Sequence, residues 1–159
     1  MKNNNITQSE DAPTSNGVKA PEFITENEQW LNSEPPKIAD LKGKVVLIKF
    51  WTFMCSWCQQ DLPGIMEIEK KYKDKGLVVI GIHSPETTFE RDVEALKKQM
   101  KVLKVDFPVL TDNARQNWKA YKVENWPAYY LIDREGNIAF SILGPGVEDQ
   151  LENKIKNLI

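Results

Sequence analysis

The chain has 159 residues, 41% of them hydrophobic and 28% charged, with 21 basic against 23 acidic side chains and a formal charge of -2. That is one domain's worth of chain, able to bury about two-thirds of the surface its unfolded form exposes without a metal or disulfide. The near balance of charge argues against nucleic acid or an anionic membrane surface as a partner, and no apolar run approaches the ~18 residues of a spanning helix.

Residues 1–20 (MKNNNITQSEDAPTSNGVKA) are polar, lack the apolar core of a signal peptide, and read as a disordered leader ahead of one domain at 21–159. Such a leader could be the remnant of a removed anchor or simply a floppy terminus. From Pro21 onward, short β-branched runs alternate with amphipathic stretches, the pattern of an α/β domain. Residues 22–24 read as a short edge strand. Residues 44–51 (KVVLIKFW) are continuously apolar apart from lysines, which suits a central strand covered on both faces. A helix is predicted over 56–75, kinked early by Pro63 and stopped by Gly76. Its buried stripe takes in Leu62, Ile65, Met66, Ile68, Glu69 and Tyr72. Residues 77–82 (LVVIGI) read as a second central strand leading into a His83-Ser84-Pro85-Glu86 loop. Phe89, Val93, Leu96, Met100 and Leu103 then recur at helical spacing. Residues 107–110 read as a strand, and Asp112 as the cap of a helix reaching Tyr121. Trp126-Pro127 interrupts the chain before strands at 129–132 and 138–142, paired in a hairpin across Asp133-Arg134-Glu135-Gly136. After Gly144-Pro145-Gly146, the spacing of Val147, Leu151, Ile155 and Leu158 predicts a last amphipathic helix.

Two cysteines and one histidine are too few for a disulfide framework or a closed structural zinc site. The cysteines stand as Cys55-Ser56-Trp57-Cys58, after a buried strand and at the opening of a helix. Residues three apart at a helix start share a face, so two sulfurs can reach bonding distance, while the helix amides favour a thiolate on the first. Cys55 would attack and Cys58 would resolve. An inert disulfide, half of a metal site or chance neighbours are the plainer alternatives; the agreement of strand, motif and helix favours a redox pair. Gln59, where a haem attachment site has His, excludes that use.

The residues GKVVLIKFWTFMCSWC, LPGIMEIEKKYKDKGLVVIGIHSPE, FPVLTD and WPAYYLIDREGNI together carry a family resemblance. From Pro21 to the C-terminus the chain resembles a thioredoxin-fold domain of the TlpA-like type, nearest the DipZ-like branch. The resemblance implies a central mixed β-sheet flanked by helices, with a TlpA-type β/α insertion at about 86–110. It also implies that Pro127 is cis and faces the cysteines, that the backbone at Trp126 pairs with an extended substrate, and that Pro127 keeps metal from the paired thiols.

Around the motif, two readings stand for several residues. Asp61, one turn beyond Cys58, is at the place where many TlpA-like proteins carry an acid; it either accepts the resolving thiol's proton or is a solvated helix acid. Lys49 occupies the strand position where plain thioredoxins have a buried Asp, and either points at the sulfurs, favouring thiolate, or snorkels outward. His83 and Glu86 are candidates for the same proton relay, against a hydrogen-bonded loop histidine and a surface acid. Trp51 reads as core wall, and Trp57 as exposed enough to contact a partner.

The leading function is a thiol-disulfide oxidoreductase exchanging a Cys55–Cys58 disulfide with protein thiols. No cofactor beyond that disulfide and no metal are expected. The resemblance implies reduction as the direction, with apocytochrome cysteines among the clients, an upstream thiol reductant, and a monomer outside the cytoplasmic membrane. A cytoplasmic protein is the alternative, since no signal is visible. Thr52-x-x-Cys55 echoes a peroxiredoxin site, although Ile48 stands where that motif has Pro; a thiol peroxidase is thus a second class, and a redox-inactive or metal-binding scaffold a third.

Overall fold

The computed structural model describes residues 17–159. Most of the expected leader, residues 1–16, lies outside the described residues. Residues 17–20 already touch the domain: Lys19 bridges Asn137, and the buried Ala20 donates its N–H to Gly136 O at 3.0 Å.

Six strands form one mixed sheet in the order β1-β4-β3-β2-β5-β6. They are β1 (Trp30–Leu31), β2 (Val45–Trp51), β3 (Leu77–His83), β4 (Val109–Thr111), β5 (Ala128–Ile132) and β6 (Ile138–Leu143). β2, β3 and β4 run parallel, while β5, β6 and β1 are antiparallel to their neighbours. Every residue of β2 is buried, as its unbroken apolar run requires of a strand covered on both faces. The helices are α1 (Ser56–Gln60), α2 (Leu62–Tyr72), α3 (Val93–Val102), α4 (Gln116–Ala120) and α5 (Glu148–Leu158).

Alternation along the strands separates two cores. Val45, Leu47 and Trp51 face the layer of α2, α3 and α5, meeting Leu62, Ile65, Leu96, Met100, Leu151 and Ile155. Val46, Ile48 and Phe50 face α4 and the N-terminal segment, meeting Trp118, Tyr121 and Val123. Lys49 has the parity of Leu47 and Trp51, so the chain sends a lysine into the first core.

Some sequence expectations are corrected. The edge strand is β1, not residues 22–24; there the Asn117 side chain takes both backbone partners of Ile24, accepting its N–H and donating to its carbonyl, each at 2.8 Å. The helix predicted over 56–75 is two helices meeting at Asp61, because Pro63 has no N–H to carry the ladder on. α2 ends at Tyr72, and a 3-10 turn (Lys73–Lys75) leads to Gly76 at φ 102°. Met66 and Glu69 lie on the flank of the buried stripe. Phe89 is in a separate 3-10 turn and exposed, while α3 starts at Val93 with the Asp92 carboxylate capping the N–H groups of Glu94 and Ala95. α4 is shorter than predicted, but Asp112 does hold its start, accepting from the N–H groups of Asn117 and Trp118 at 3.0 Å each.

Candidate active site

β2 delivers the chain to the cysteines. Its last residue, Trp51, pairs with His83, and Phe50 pairs with Ala128 of the antiparallel β5. The end of β2, the end of β3 and the start of β5 therefore lie at one end of the sheet, which brings together Cys55, His83 and Pro127. The Trp126-Pro127 bond is cis.

Cys55 stands just before α1 in an extended conformation, with its N–H donating to Thr52 O at 3.2 Å. Its Sγ accepts from the Cys58 N–H at 3.2 Å. Cys55 is half-buried, Cys58 is fully buried, and both are free thiols. The Cys58 thiol is a hydrogen-bond donor to Cys55 and lowers the Cys55 pKa to about 7. The N–H groups of Cys58 and Trp57 and the Lys49 ammonium act in the same direction, against burial. The same bond and burial push Cys58 far up. One sulfur is thus a ready nucleophile and the other holds its proton.

Below the motif Lys49 is fully buried and its ammonium donates to Cys58 O at 2.6 Å. It does not snorkel. Burial lowers its pKa to about 8, while Cys58, Asp61, Cys55 and Glu148 hold the charge in place. Its strand neighbours are Gly81 and Tyr129; a Cβ at Gly81 would stand 2.9 Å from Phe107 Cε2 and from Trp51 Nε1. Tyr129 Oη donates to Asp61 Oδ2 at 2.7 Å, and Asp61 Oδ1 accepts from the Gly146 N–H at 3.3 Å. Asp61 is 2% exposed, so the reading of a solvated helix acid is wrong. Tyr129, buried and bonded to that carboxylate, keeps its proton well above the ordinary phenol range. Glu148, at the start of α5, has its proton affinity raised by burial and by Asp61 beside it.

Behind the motif lies a second buried group. His83 Nε2 accepts from the Phe53 N–H at 3.1 Å, and its ring stacks on Phe53 with centroids 5.5 Å apart. Burial lowers its pKa to about 4, so it is a neutral acceptor that fixes the backbone before Cys55. Glu86, expected as a relay acid, is exposed and makes no side-chain bond among the described residues; the acid that turns inward is Glu90. It accepts from Thr52 Oγ1, from the Met54 N–H at 3.3 Å, and from Thr87 N and Oγ1 at 2.9 Å each. Burial pushes the Glu90 carboxyl up, but these donors outweigh it and hold the group below its ordinary value. The β/α insertion thereby clamps the Thr52 to Cys55 turn.

Met54 and Trp57, on either side of Cys55, are 60% and 56% exposed. Trp51 is core wall, as expected. Trp126 is half-buried: its Nε1 donates to Ser84 O at 2.8 Å, its ring stacks at 4.2 Å on Trp118, and the Arg115 guanidinium lies over both. Pro127 is buried, with its carbonyl accepting from the Gly144 N–H at 2.9 Å. Sequence reasoning missed Glu90, Tyr129 and Glu148. Tyr129 was legible as a strand residue, but its pairing with Lys49 was not; Glu90 and Glu148 carried no local signal beyond being acids near helix starts.

A mixed sheet of this order, with a C-x-x-C pair where a central strand enters a helix and a cis proline at the same end of the sheet, defines a thioredoxin-fold thiol-disulfide oxidoreductase. The chain belongs to the AhpC/TSA family, whose profile matches residues 16–141. Protein DipZ of Mycobacterium bovis is 38% identical over 133 residues, covering 82% of this chain and 19% of its own length. Thiol-disulfide oxidoreductase ResA of Bacillus cereus is 31% identical over 142 residues, covering 89% of this chain and 78% of its own. Among solved structures, a thiol-disulfide isomerase from Corynebacterium glutamicum aligns with a TM-score of 0.80 at 27% identity, covering 90% of this chain and 96% of that one. This chain thus spans 19% of the length of DipZ. Among the described residues no helix is long and apolar enough to cross a membrane, and no three His, Cys, Asp or Glu side chains gather to hold a metal ion.

Proposed function

We propose that this domain reduces disulfides in client proteins, with Cys55 as attacking thiolate, Cys58 as resolving thiol and Asp61 as acceptor of the Cys58 proton. The observation that carries this reading is the asymmetry of the pair: a half-exposed sulfur lowered to about pKa 7 beside a fully buried one pushed up. In the first step the Cys55 thiolate attacks a client disulfide, one client sulfur leaves as thiolate, and a mixed disulfide forms. In the second, Cys58 gives up its proton and attacks Cys55 Sγ, closing the Cys55–Cys58 disulfide and releasing the second client thiolate. A separate thiol reductant then returns the pair to dithiol. The exposed Met54 and Trp57 suit an apolar client segment around the target cysteine. The resemblance to TlpA-like proteins supports a site of action outside the cytoplasmic membrane, with apocytochrome cysteines as one client class.

The peroxidase reading loses its main support, because the Thr52 hydroxyl donates its only proton to Glu90 and has none left for a peroxide. The test is a pair of variants with a model client disulfide. Cys58→Ser should accumulate the mixed disulfide, and Cys55→Ser should exchange nothing; full turnover by Cys55→Ser sinks the mechanism. The reduction potential sets direction: a value near the thioredoxin end of the scale, about -270 mV, supports a reductant, and one near about -120 mV refutes that direction.

A further inference from the structure

We infer that Glu148 of α5 is the outlet of the proton path serving the resolving thiol, sharing a proton with Asp61 and exchanging it with solvent through a cleft between α2 and α5. The inference rests on the function proposed above and adds a residue to it. Glu148 touches neither the sulfurs nor a client, so it is a positioning residue that acts through Asp61.

Asp61 by itself is a sealed base. Its two oxygens are held by Tyr129 Oη and the Gly146 N–H, and neither donor can carry a proton away. Tyr129 retains its own proton, and a backbone amide has no acid-base role at these pH values. A proton passed from Cys58 to Asp61 needs another exit. Gly146 is followed two residues later by Glu148, so the loop that donates to Asp61 also brings in the second carboxyl.

The way Glu148 is laid down fixes its position. A Cβ built on Gly64 would stand 3.0 Å from Glu148 Cγ and 3.3 Å from its Oε1. Gly64 is three residues beyond Asp61 on the same helical stripe, so the absence of a side chain there lets Glu148 lie flat across α2 next to Asp61. On its outer side Glu148 lines an open cleft of about 240 Å³ with Gly64, Glu67, Lys71, Asp149 and Glu152. One carboxyl of the pair is buried, and the other meets water.

The charges around the pair suit proton sharing. From β2 comes Lys49, from β5 Tyr129, from α1 Cys58, from the α1–α2 junction Asp61, from α2 Glu67 and Lys71, and from α5 Asp149 and Glu152. Lys71 is already bonded to Glu152 at 2.6 Å, and Glu152 also accepts from Tyr72 Oη at 2.8 Å. Among the described residues Lys49 is then the one cation facing the two carboxyls from inside. The raised proton affinity of Glu148 has burial and Asp61 among its causes, which agrees with this placement.

In the resolving step the Cys58 S–H bond breaks, its proton goes to Asp61, and the Cys58 electron pair forms the S–S bond to Cys55 as the client sulfur departs with the pair of the broken bond. Asp61 hands the proton to Glu148, and Glu148 releases it to water in the cleft. No external oxidant is needed, since the client disulfide accepts both electrons.

The experiment uses the reduced full chain and dithiobis-nitrobenzoate, whose thiolate is coloured. The first equivalent released reports Cys55 attack, and the second reports Cys58 closing the ring. Glu148→Gln should slow the second release by about tenfold at neutral pH, converge on wild type in alkali where hydroxide deprotonates Cys58 directly, and leave the first release unchanged. Gly64→Ala, which pushes the Glu148 carboxyl aside while suiting a helix better than glycine, should shift the profile the same way. A second-phase pH profile that Glu148→Gln or Gly64→Ala leaves on the wild-type curve overturns the proposal. So does an equal loss at every pH, which marks a packing role. Absence of the second release in wild type is a different failure, that of the Cys55–Cys58 reading itself.

Discussion

Lys49 gives the sharpest quantitative expectation. Its ammonium is fully buried, and carrying that charge lowers its pKa from 10.5 to about 8, a cost to the folded state of about 3 kcal/mol at neutral pH. Lys49→Met removes the charge and keeps the length of the side chain. Against this, Cys58 O loses its 2.6 Å partner, a loss of about 1–2 kcal/mol once a buried acceptor is left bare. The variant should therefore be about 1–2 kcal/mol more stable than wild type at neutral pH, because the net cost of the charge, with its attraction to Asp61 and Glu148 already included, exceeds the lost hydrogen bond. Between about 8 and 10.5 the unfolded wild-type chain holds a lysine proton that the folded chain has shed, so wild-type stability rises with pH across that window. The variant has no such group. Its advantage should shrink through the window by about 3 kcal/mol and end as a disadvantage, because the neutral amine of wild type still donates to Cys58 O. Urea melts of both proteins, kept reduced, at neutral and alkaline pH measure this directly. A variant that is less stable at neutral pH by an amount that does not move with pH would refute the reasoning, since Lys49 would then be acting by shape alone. The gain should come with a functional loss: without the ammonium the Cys55 thiol rises above about 7, and its alkylation at neutral pH slows.

Three further outcomes are expected. Alkylation of reduced wild type should be half-maximal near pH 7 at Cys55 with Cys58 silent throughout the neutral range, as read by mass spectrometry; equal labelling of both would contradict the assigned asymmetry. Glu90→Gln places an amide NH2 against Thr52, Thr87 and Met54, which are all donors to the carboxylate, and should cost about 2 kcal/mol in a urea melt; an unchanged midpoint would show that the clamp carries no load. Gly81→Ala drives a methyl to within 2.9 Å of the Phe107 and Trp51 rings and should destabilise by about 1–3 kcal/mol, whereas a neutral result would mean that the ring layer can shift aside.

The strands β2 to β6, their parity and the junction that presents Cys55 were legible because each is a local pattern. An unbroken apolar run between turn signals fits a strand covered on both faces, and a C-x-x-C at its exit fits the opening of the next helix. What was not legible depended on residues far along the chain. Asp61 was correctly placed one turn past Cys58, yet whether it meets water is decided by Tyr129 and Gly146, which are 68 and 85 positions away. Glu86 and Glu90 are both acids in the segment after His83. Thr52 and Met54, 38 and 36 residues earlier, join the nearby Thr87 in selecting Glu90 as the one that turns in. Residues 22–24 have strand character, but their pairing groups are claimed by a side-chain amide 93 residues on, which no periodicity encodes.

The exchange of sign at position 49 follows from the same long-range geometry. A carboxylate on this strand position, as in plain thioredoxins, would here stand against Asp61 and Glu148 with no cation among the groups named around Cys58. Three acids would then compete for protons under the sulfurs, raising Cys55 and weakening the nucleophile. With lysine on the strand, the acids can come from α1–α2 and α5 instead: the cation holds Cys58 O and lowers Cys55, while the carboxyls remain available to take the proton that Cys58 must lose. In the proposed mechanism the base stands beside the cysteines and not beneath them, next to a second carboxyl that lines an open cleft.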